Sequence, residues 1–142
     1  MRALLDVNVL IALLDADHTL HGRAATWFSA HAKSGWASCP ITENGCIRVM
    51  AHSSYPNSVP GHAVMSRLAQ ASSGPLHEFW PDDVSLLDPS VADFKKIHGP
   101  RQLTDVYLLA LAVKHGGAFV TFDAGVPVAA VRDAKKSQLL VL

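Results

Sequence analysis

The sequence has no excess of charge of either sign. Its 12 lysine and arginine residues balance 12 aspartate and glutamate residues, so the formal net charge at pH 7 is zero. A neutral chain lacks the overall basic field that draws many proteins to nucleic acid. Nucleic-acid binding is therefore not indicated by the composition, and it would have to depend on a local patch of basic side chains.

Cysteine is also scarce. The only two cysteines are Cys39 and Cys46, and they do not form a CxxC pair. Two cysteines at this spacing match neither a disulfide framework nor a zinc-binding pattern. We expect both to be reduced thiols in or near the core.

Long apolar runs are missing as well. No stretch approaches the ~18–20 uninterrupted apolar residues of a membrane span. The apolar N-terminal stretch is broken by Asp6 and Asn8, and no cleavage-site pattern follows it. These features predict a soluble, cytoplasmic protein without a membrane segment.

What the sequence does contain is enough apolar material for one domain. The 142 residues are 49% hydrophobic, which predicts a single domain over 1–142 with a substantial core. Predicted strands and helices alternate, which indicates an α/β fold with a central parallel β-sheet flanked by α-helices. The predicted strands are 2–5, 36–39, 76–80, a weaker one at 84–87, 118–122 and 138–142. The predicted helices are 9–14, 18–34, one capped by Thr42 that runs through Met50, 62–71, 90–97 and 104–114.

Four acidic residues stand where such a fold can gather them. Asp6 and Asp123 each follow a buried strand, whereas Glu43 and Asp105 each follow a threonine in the first turn of a predicted helix. Taken singly, each has an ordinary explanation as a turn acid or as a helix-start acid, which the helix dipole favours by ~0.3–1 kcal/mol. Taken together, they are expected to converge, because strand ends and the starts of the following helices share one edge of a parallel sheet.

Converging carboxylates need a compensating partner. Like charges in close contact either take up protons or hold a cation. All-oxygen ligands favour a hard ion such as Mg²⁺ or Mn²⁺ over zinc. A metal of this kind polarises a phosphate and lowers the pKa of water, so the pattern predicts metal-assisted phosphodiester hydrolysis.

The same motifs resemble those of a known family. Leu4-Leu5-Asp6-Val7-Asn8 followed by Val9-Leu10-Ile11, Thr42-Glu43, Leu103-Thr104-Asp105 and Val120-Thr121-Phe122-Asp123 are similar to the acidic motifs of the PIN-domain nucleases. Within that family, the size and the segment 18–27 are most similar to the VapC-type toxins of bacterial toxin–antitoxin pairs. The resemblance spans nearly the whole chain.

The resemblance implies an activity, a cofactor and partners. It implies a Mg²⁺- or Mn²⁺-dependent endoribonuclease toxin that acts on RNA, pairs with a cognate antitoxin and forms a homodimer. The implied catalytic and metal-binding set is Asp6, Glu43, Asp105 and Asp123.

Further residues around this set receive supporting roles. Asn8 matches the polar residue two positions after the first acid, and Thr121 matches the hydroxyl before the last. Val7 departs from the pattern, because the family often has Thr or Ser there. From their positions near the acids, Arg48 and Arg101 are candidate substrate-binding residues.

Other functions remain as alternatives. A PIN-type RNA-processing nuclease that is not a toxin would carry the same acids. A haloacid-dehalogenase-like phosphatase would need a second aspartate where Asn8 stands. A phospho-acceptor module would need adjacent acids near the first strand and a lysine ending a late strand, and the chain has neither.

Overall fold

Five parallel strands form one sheet at the centre of the protein. A computed structural model describes all 142 residues. The strands are β1 (Ala3–Leu5), β2 (Trp36–Ser38), β3 (His77–Phe79), β4 (Ala118–Thr121) and β5 (Leu139–Val141). Their order is β3-β2-β1-β4-β5, and each neighbouring pair is parallel. The predicted α/β fold with a central parallel sheet is confirmed.

Five α-helices cover the two faces of this sheet. They are α1 (Val7–Leu14), α2 (His21–His31), α3 (Pro40–Ala51), α4 (Gly61–Ala71) and α5 (Leu103–Lys114). Side chains of a strand alternate between faces, so Leu4 packs in the cluster with α5 while Leu5 packs with α1, α3 and α4. None of the helices has the length and apolar character needed to cross a bilayer.

Both cysteines lie in the core, as expected. Cys39 and Cys46 are free thiols with no exposed surface. Burial raises the pKa of Cys46 to about 12, so this thiol stays protonated and unreactive near neutral pH.

Two predicted elements between β3 and α5 are wrong. Residues 84–87 form no strand, and Val84 instead packs against the cluster around α5. Residues 90–97 form no α-helix: Ala92 makes an isolated antiparallel bridge with Val131, and only a 3₁₀ turn follows. Aspartate side chains at 88 and 93 accept hydrogen bonds from nearby backbone N–H groups, which replaces helical hydrogen bonding in this segment.

Three helix starts differ from prediction by two residues or more. Helix α1, predicted from residue 9, begins at Val7. The helix predicted from residue 18 begins at His21, because the His18 Nδ1 accepts from the Leu20 backbone N–H and closes a turn there. Helix α3 begins at Pro40 rather than after Thr42, with Cys39 as its N-cap. Proline is suited to the first helical position, since its missing N–H has no helical partner there. The Thr42 Oγ1 accepts from the Cys39 backbone N–H one turn into the helix.

Helices α1 and α3 pack closely where Gly45 meets Val7. A Cβ atom at Gly45 would lie 2.6 Å from Val7 Cγ2. Valine is stiff in a helix, so this side chain has no easy escape. We expect Gly45→Ala to lower the free energy of unfolding by about 1–3 kcal/mol through overpacking.

Gly22 provides the matched control for this prediction. It lies in α2, and nothing would lie within 4 Å of an added Cβ. Gly22→Ala should leave stability unchanged or raise it by up to about 1 kcal/mol, since alanine is favoured over glycine in helices. Urea unfolding of both variants tests the pair, and equal effects would show that the α1–α3 contact is not tight.

Candidate active site

Asp6 is held rigidly where β1 passes into α1. It is the N-cap of α1, and its Oδ1 accepts from the Val7 backbone N–H at 2.7 Å. Its Oδ2 accepts from the Thr121 hydroxyl at 2.6 Å, which ties it to β4. Only 7% of Asp6 is exposed. Two fixed donors therefore set the direction of a nearly buried carboxylate.

Asp123 is placed by the same threonine. The Asp123 backbone N–H donates to Thr121 Oγ1 at 3.1 Å. The Asp123 side chain is held as well, because its Oδ1 accepts from the Gly125 backbone N–H at 2.7 Å. Thr121 is completely buried. Its hydroxyl thus connects the loop after β4 to the carboxylate after β1.

Asp105 reaches the same place from the first turn of α5. Asp6, Asp105 and Asp123 line one open cleft of about 480 Å³ at the carboxyl edge of the sheet. Helix α3 forms the opposite wall. The full lining is Asp6, Val7, Asn8, Ile11, Ile41, Gly45, Arg48, Val49, Thr104, Asp105 and Asp123.

Two carboxylates of this cleft, Asp105 and Asp6, have a raised proton affinity. Burial raises the pKa of Asp105 to about 6, and the charges of Asp6 and Asp123 add to that rise. Burial also raises the pKa of Asp6, against the hydrogen bonds from Thr121 and Val7 that lower it. The cleft therefore carries a negative potential that a bound cation would relieve.

The polar atoms of the cleft suit a hard cation. The Asn8 side chain lies near Asp6 and lowers the pKa of that carboxyl, while its Oδ1 is buried and has no hydrogen-bond partner. A buried amide oxygen without a partner is costly unless a ligand satisfies it. No group of three acidic, histidine or cysteine side chains is close enough to form a ready-made metal cage. The residues thus fit an ion such as Mg²⁺ that keeps several of its waters.

Glu43 is not in the lining of this cleft. Its Oε1 accepts from the Ser38 hydroxyl at 2.6 Å, and it lines a separate cleft of about 190 Å³ with Ile47 and Met65. Since α3 begins at Pro40, its cleft-facing side carries Ile41, Gly45, Arg48 and Val49, and position 43 lies on another face. Glu43 is therefore absent from the lining that the other three acids share, and its predicted part in the metal site stays a prediction.

The two candidate arginines are placed differently. Arg48 lines the acidic cleft and is exposed, with no ion pair. Arg101 is exposed in the 3₁₀ turn Pro100–Gln102 before α5 and lies outside the cleft lining. Arg48 is therefore the one basic side chain in the lining of the acidic cleft.

Two cleft residues were missed by the sequence reasoning. Thr104 lines the cleft beside Asp105, and its position before that acid was the available signal. Gly45 also lines it, but nothing in the sequence distinguishes this glycine from others. The side chain of Val7 packs toward Gly45, so the hydroxyl that the family often has at this position is replaced by an apolar contact.

Sequence comparison places the chain among a defined set of proteins. The family model described as PIN domain matches residues 3–131. Ribonuclease VapC44 of Mycobacterium tuberculosis (strain CDC 1551 / Oshkosh) is 50% identical over 142 residues, which is all of both chains. Ribonuclease VapC39 of the same strain is 44% identical over 126 residues, covering 87% of this chain and 90% of that protein.

Solved structures give the same fold at low sequence identity. Mycobacterium tuberculosis VapC20, described as a sarcin-ricin loop cleaving toxin, matches with a TM-score of 0.60 and 14% identity over 91% of this chain and 98% of the other. VapBC2 from Rickettsia felis, bound to a DNA fragment from its promoter, matches with a TM-score of 0.56 and 13% identity over 87% and 89%.

Proposed function

This chain belongs to the PIN-domain family, and we propose that it is a VapC-type toxin that hydrolyses RNA as a Mg²⁺- or Mn²⁺-dependent endoribonuclease. The observation that carries the proposal is the cleft in which Asp6, Asp105 and Asp123 meet the unpartnered amide oxygen of Asn8. The 50% identity to a ribonuclease over the full length supports the activity. Family membership removes the phosphatase and phospho-acceptor alternatives.

The polar side chains in and beside the cleft have separate roles in this mechanism. When bound, the metal supplies Lewis-acid catalysis and lowers the pKa of water. Asp6, Asp105 and Asp123 would hold it, and Thr121 keeps the Asp6 carboxylate oriented through its hydrogen bond. Asn8 lines the cleft beside these acids, and its Oδ1 is an acceptor with no partner in the protein.

Removal of the metal tests the proposal directly. Purified protein is expected to cleave RNA with Mg²⁺ or Mn²⁺, to lose cleavage in EDTA and to regain it on addition of Mn²⁺. The Asp6→Asn variant, purified in parallel, controls for contaminating ribonucleases. Cleavage that persists in EDTA, or that the variant retains, would contradict the metal-dependent mechanism.

Arg48 is proposed to bind a phosphate of the RNA. A charge-assisted contact of this type contributes about 1.5–3 kcal/mol, so Arg48→Ala should raise KM by roughly ten- to a hundredfold. Arg101→Ala should have a smaller effect, because this side chain lies outside the cleft lining. Arg67→Ala, at an exposed position of α4, is the control and should leave KM unchanged. Steady-state cleavage assays distinguish the three, and equal effects would rule out a specific role for Arg48.

The toxin assignment includes partners and a location. The similarity to a VapBC pair supports an antitoxin partner. A homodimer, a cytoplasmic location and one PIN domain over residues 1–142 complete the proposal.

Expression of the chain alone should slow bacterial growth, and co-expression of a small protein from the neighbouring reading frame should restore growth. Unchanged growth would favour the RNA-processing nuclease instead, while leaving the nuclease activity in place.

A further inference from the structure

The segment before α5 carries basic side chains that the acidic cleft does not use. Residues 94–102 contain Lys95, Lys96 and Arg101 and no acidic residue. All three side chains are exposed. Lys95 and Arg101 form no ion pair, and the Lys96 Nζ lies 3.9 Å from the Oδ2 of Asp93. In a chain of zero net charge, this segment is therefore a local source of positive potential.

An exposed aromatic ring lies beside these charges. Phe94 is 54% exposed, although Ile97 in the same segment packs against the core cluster around α5. The 3₁₀ turn Phe94–Lys96 places the ring next to two lysines. Asp93 closes the turn, because its Oδ1 accepts from the Lys95 backbone N–H at 3.2 Å. Proteins that bind single-stranded nucleic acid combine these two features, since rings stack on unpaired bases and cations contact the backbone.

The loop after β4 holds this segment beside the acidic cleft. At one end, the Asp93 backbone N–H donates to the Ala130 carbonyl at 2.9 Å. At the other end, Gln102 Nε2 donates to the Gly125 carbonyl at 3.4 Å. The Gly125 backbone N–H in turn donates to Oδ1 of Asp123, which lines the cleft. The two segments therefore run side by side in opposite directions, and the basic segment ends at the rim of the cleft.

The distance from this ring to the cleft is short enough for one RNA strand to cover. Thr104 and Asp105 line the cleft and come two and three residues after Gln102. A segment the length of 94–102 spans at most about 30 Å when fully extended, and this one contains two 3₁₀ turns that shorten it. An RNA strand with one phosphate in the cleft can therefore place a nearby base on Phe94.

We propose that Phe94, Lys95 and Lys96 form a second RNA subsite, in which the ring stacks on an unpaired base and the ammonium groups bind the neighbouring phosphates. We call these three residues the Phe94 subsite. The inference rests on the proposed function, because its ligand is the RNA that the acidic cleft would cleave. The RNA bound there is single-stranded, since a base within a duplex is already stacked on its neighbours. The subsite binds the substrate and takes no part in bond cleavage.

RNA binding in EDTA tests the ring without cleavage. Fluorescence anisotropy gives the Kd of the full chain for a single-stranded RNA of about 16 nucleotides, a length that covers both cleft and subsite. Phe94→Ala should raise this Kd by roughly five- to a hundredfold, the loss typical of one stacked base. Phe94→Tyr keeps a ring and should bind like the wild type, whereas Phe94→Leu should bind as weakly as Phe94→Ala. Phe79→Ala removes a ring that is 50% exposed on β3 and is the matched control, with unchanged Kd.

Salt dependence separates the lysines from the ring. For single strands, each neutralised phosphate contributes about 0.7 to the slope of log K against log salt concentration. Lys95→Ala should raise Kd and reduce this slope by about 0.7, whereas Phe94→Ala should leave the slope unchanged. Lys33→Ala is the control, because Lys33 is exposed before β2 at the opposite edge of the sheet, and it should change neither quantity. An unchanged slope in Lys95→Ala would contradict the phosphate contact.

A fully paired RNA of the same sequence tests base stacking. Its bases are not available to the ring, so Phe94→Ala should bind this duplex as the wild type does, while Lys95→Ala should bind it more weakly. An equal loss for paired and unpaired RNA in Phe94→Ala would overturn the inference. Wild-type binding of single-stranded RNA by Phe94→Ala would overturn it as well. If that variant also changed in oligomeric mass, the ring would belong to a protein interface instead.

Cleavage assays distinguish failure of the inference from failure of the proposed function. With Mn²⁺, Phe94→Ala should raise KM for the single-stranded RNA and leave kcat unchanged. If the wild type binds this RNA through Phe94 but does not cleave it, the proposed function fails and the subsite stands. If the wild type cleaves while Phe94→Ala and Lys95→Ala keep its KM, the inference alone fails. Absence of RNA binding by the wild type would overturn both.

Discussion

Asp105→Asn is expected to lower kcat for RNA cleavage by roughly 10²- to 10³-fold, the loss typical when a main electrostatic group of an active site is removed. The side chain lines the cleft together with Asp6 and Asp123 and comes from a different element than either. The amide has nearly the same size as the carboxylate but lacks its negative charge. The loss should therefore reflect a weakened hold on the cation rather than a change of shape.

The experiment needs a control for the removal of a charge. Asp17→Asn removes an exposed carboxylate outside the cleft and should leave cleavage unchanged. Single-turnover cleavage at saturating Mn²⁺ shows whether excess metal rescues the rate. Wild-type cleavage by Asp105→Asn would exclude this carboxylate from the mechanism and would leave the cleft with too few ligands.

The same substitution should stabilise the metal-free protein at neutral pH. In the folded state the pKa of Asp105 is about 6, against an ordinary value of 3.8, because of burial and the two neighbouring charges. Folding thus favours the protonated carboxyl. The associated stability is fully present below about pH 4 and is lost as the pH rises through 6.

The expected size of this effect is about 1–3 kcal/mol, after allowance for the partial exposure of the side chain. In EDTA, Asp105→Asn should be more stable than the wild type by this amount near pH 8. Near pH 4, the variant and the wild type should have about the same stability. Urea unfolding at the two pH values measures the difference. Mg²⁺ should then stabilise the wild type but not the variant. A variant that is less stable than the wild type at both pH values would show that the carboxylate is not strained.

The sequence predicted the sheet and most of the cleft because both depend on simple patterns. Buried strands and a nearly all-apolar α5 are visible in the spacing of apolar residues, and the carboxyl ends of parallel strands must share an edge. Asp6 and Asp123 follow directly from this rule. Asp105 follows as well, since α5 starts at the same edge.

Glu43 shows where such reasoning stops. Its assignment to the cleft required the rotation of α3, and that rotation depends on whether the helix begins at Pro40 or at Thr42. Each residue of shift turns a helix by about 100°, so an uncertainty of two residues moves a side chain to another face. The buried hydroxyl of Ser38 donates a hydrogen bond to Glu43, and nothing in the sequence indicates this contact.

The predicted strand and helix between β3 and α5 were wrong for a different reason. Aspartate, serine and proline there allow local side-chain hydrogen bonds that compete with regular structure. Its bridge between Ala92 and Val131 joins residues far apart in the chain. Contacts of that kind depend on tertiary packing and not on local periodicity.

The position of β1 in the middle of the sheet also determines when the acidic cleft can form during translation. Asp6 is synthesised early, but β4, the strand that anchors it through Thr121, is synthesised only after β1, β2, β3 and all five α-helices. A nascent chain on the ribosome therefore has the first acid without the last, and cannot close the cleft until β4 pairs with β1. The order of the strands thus makes the Thr121 anchor of Asp6 one of the last parts of the cleft to form during translation.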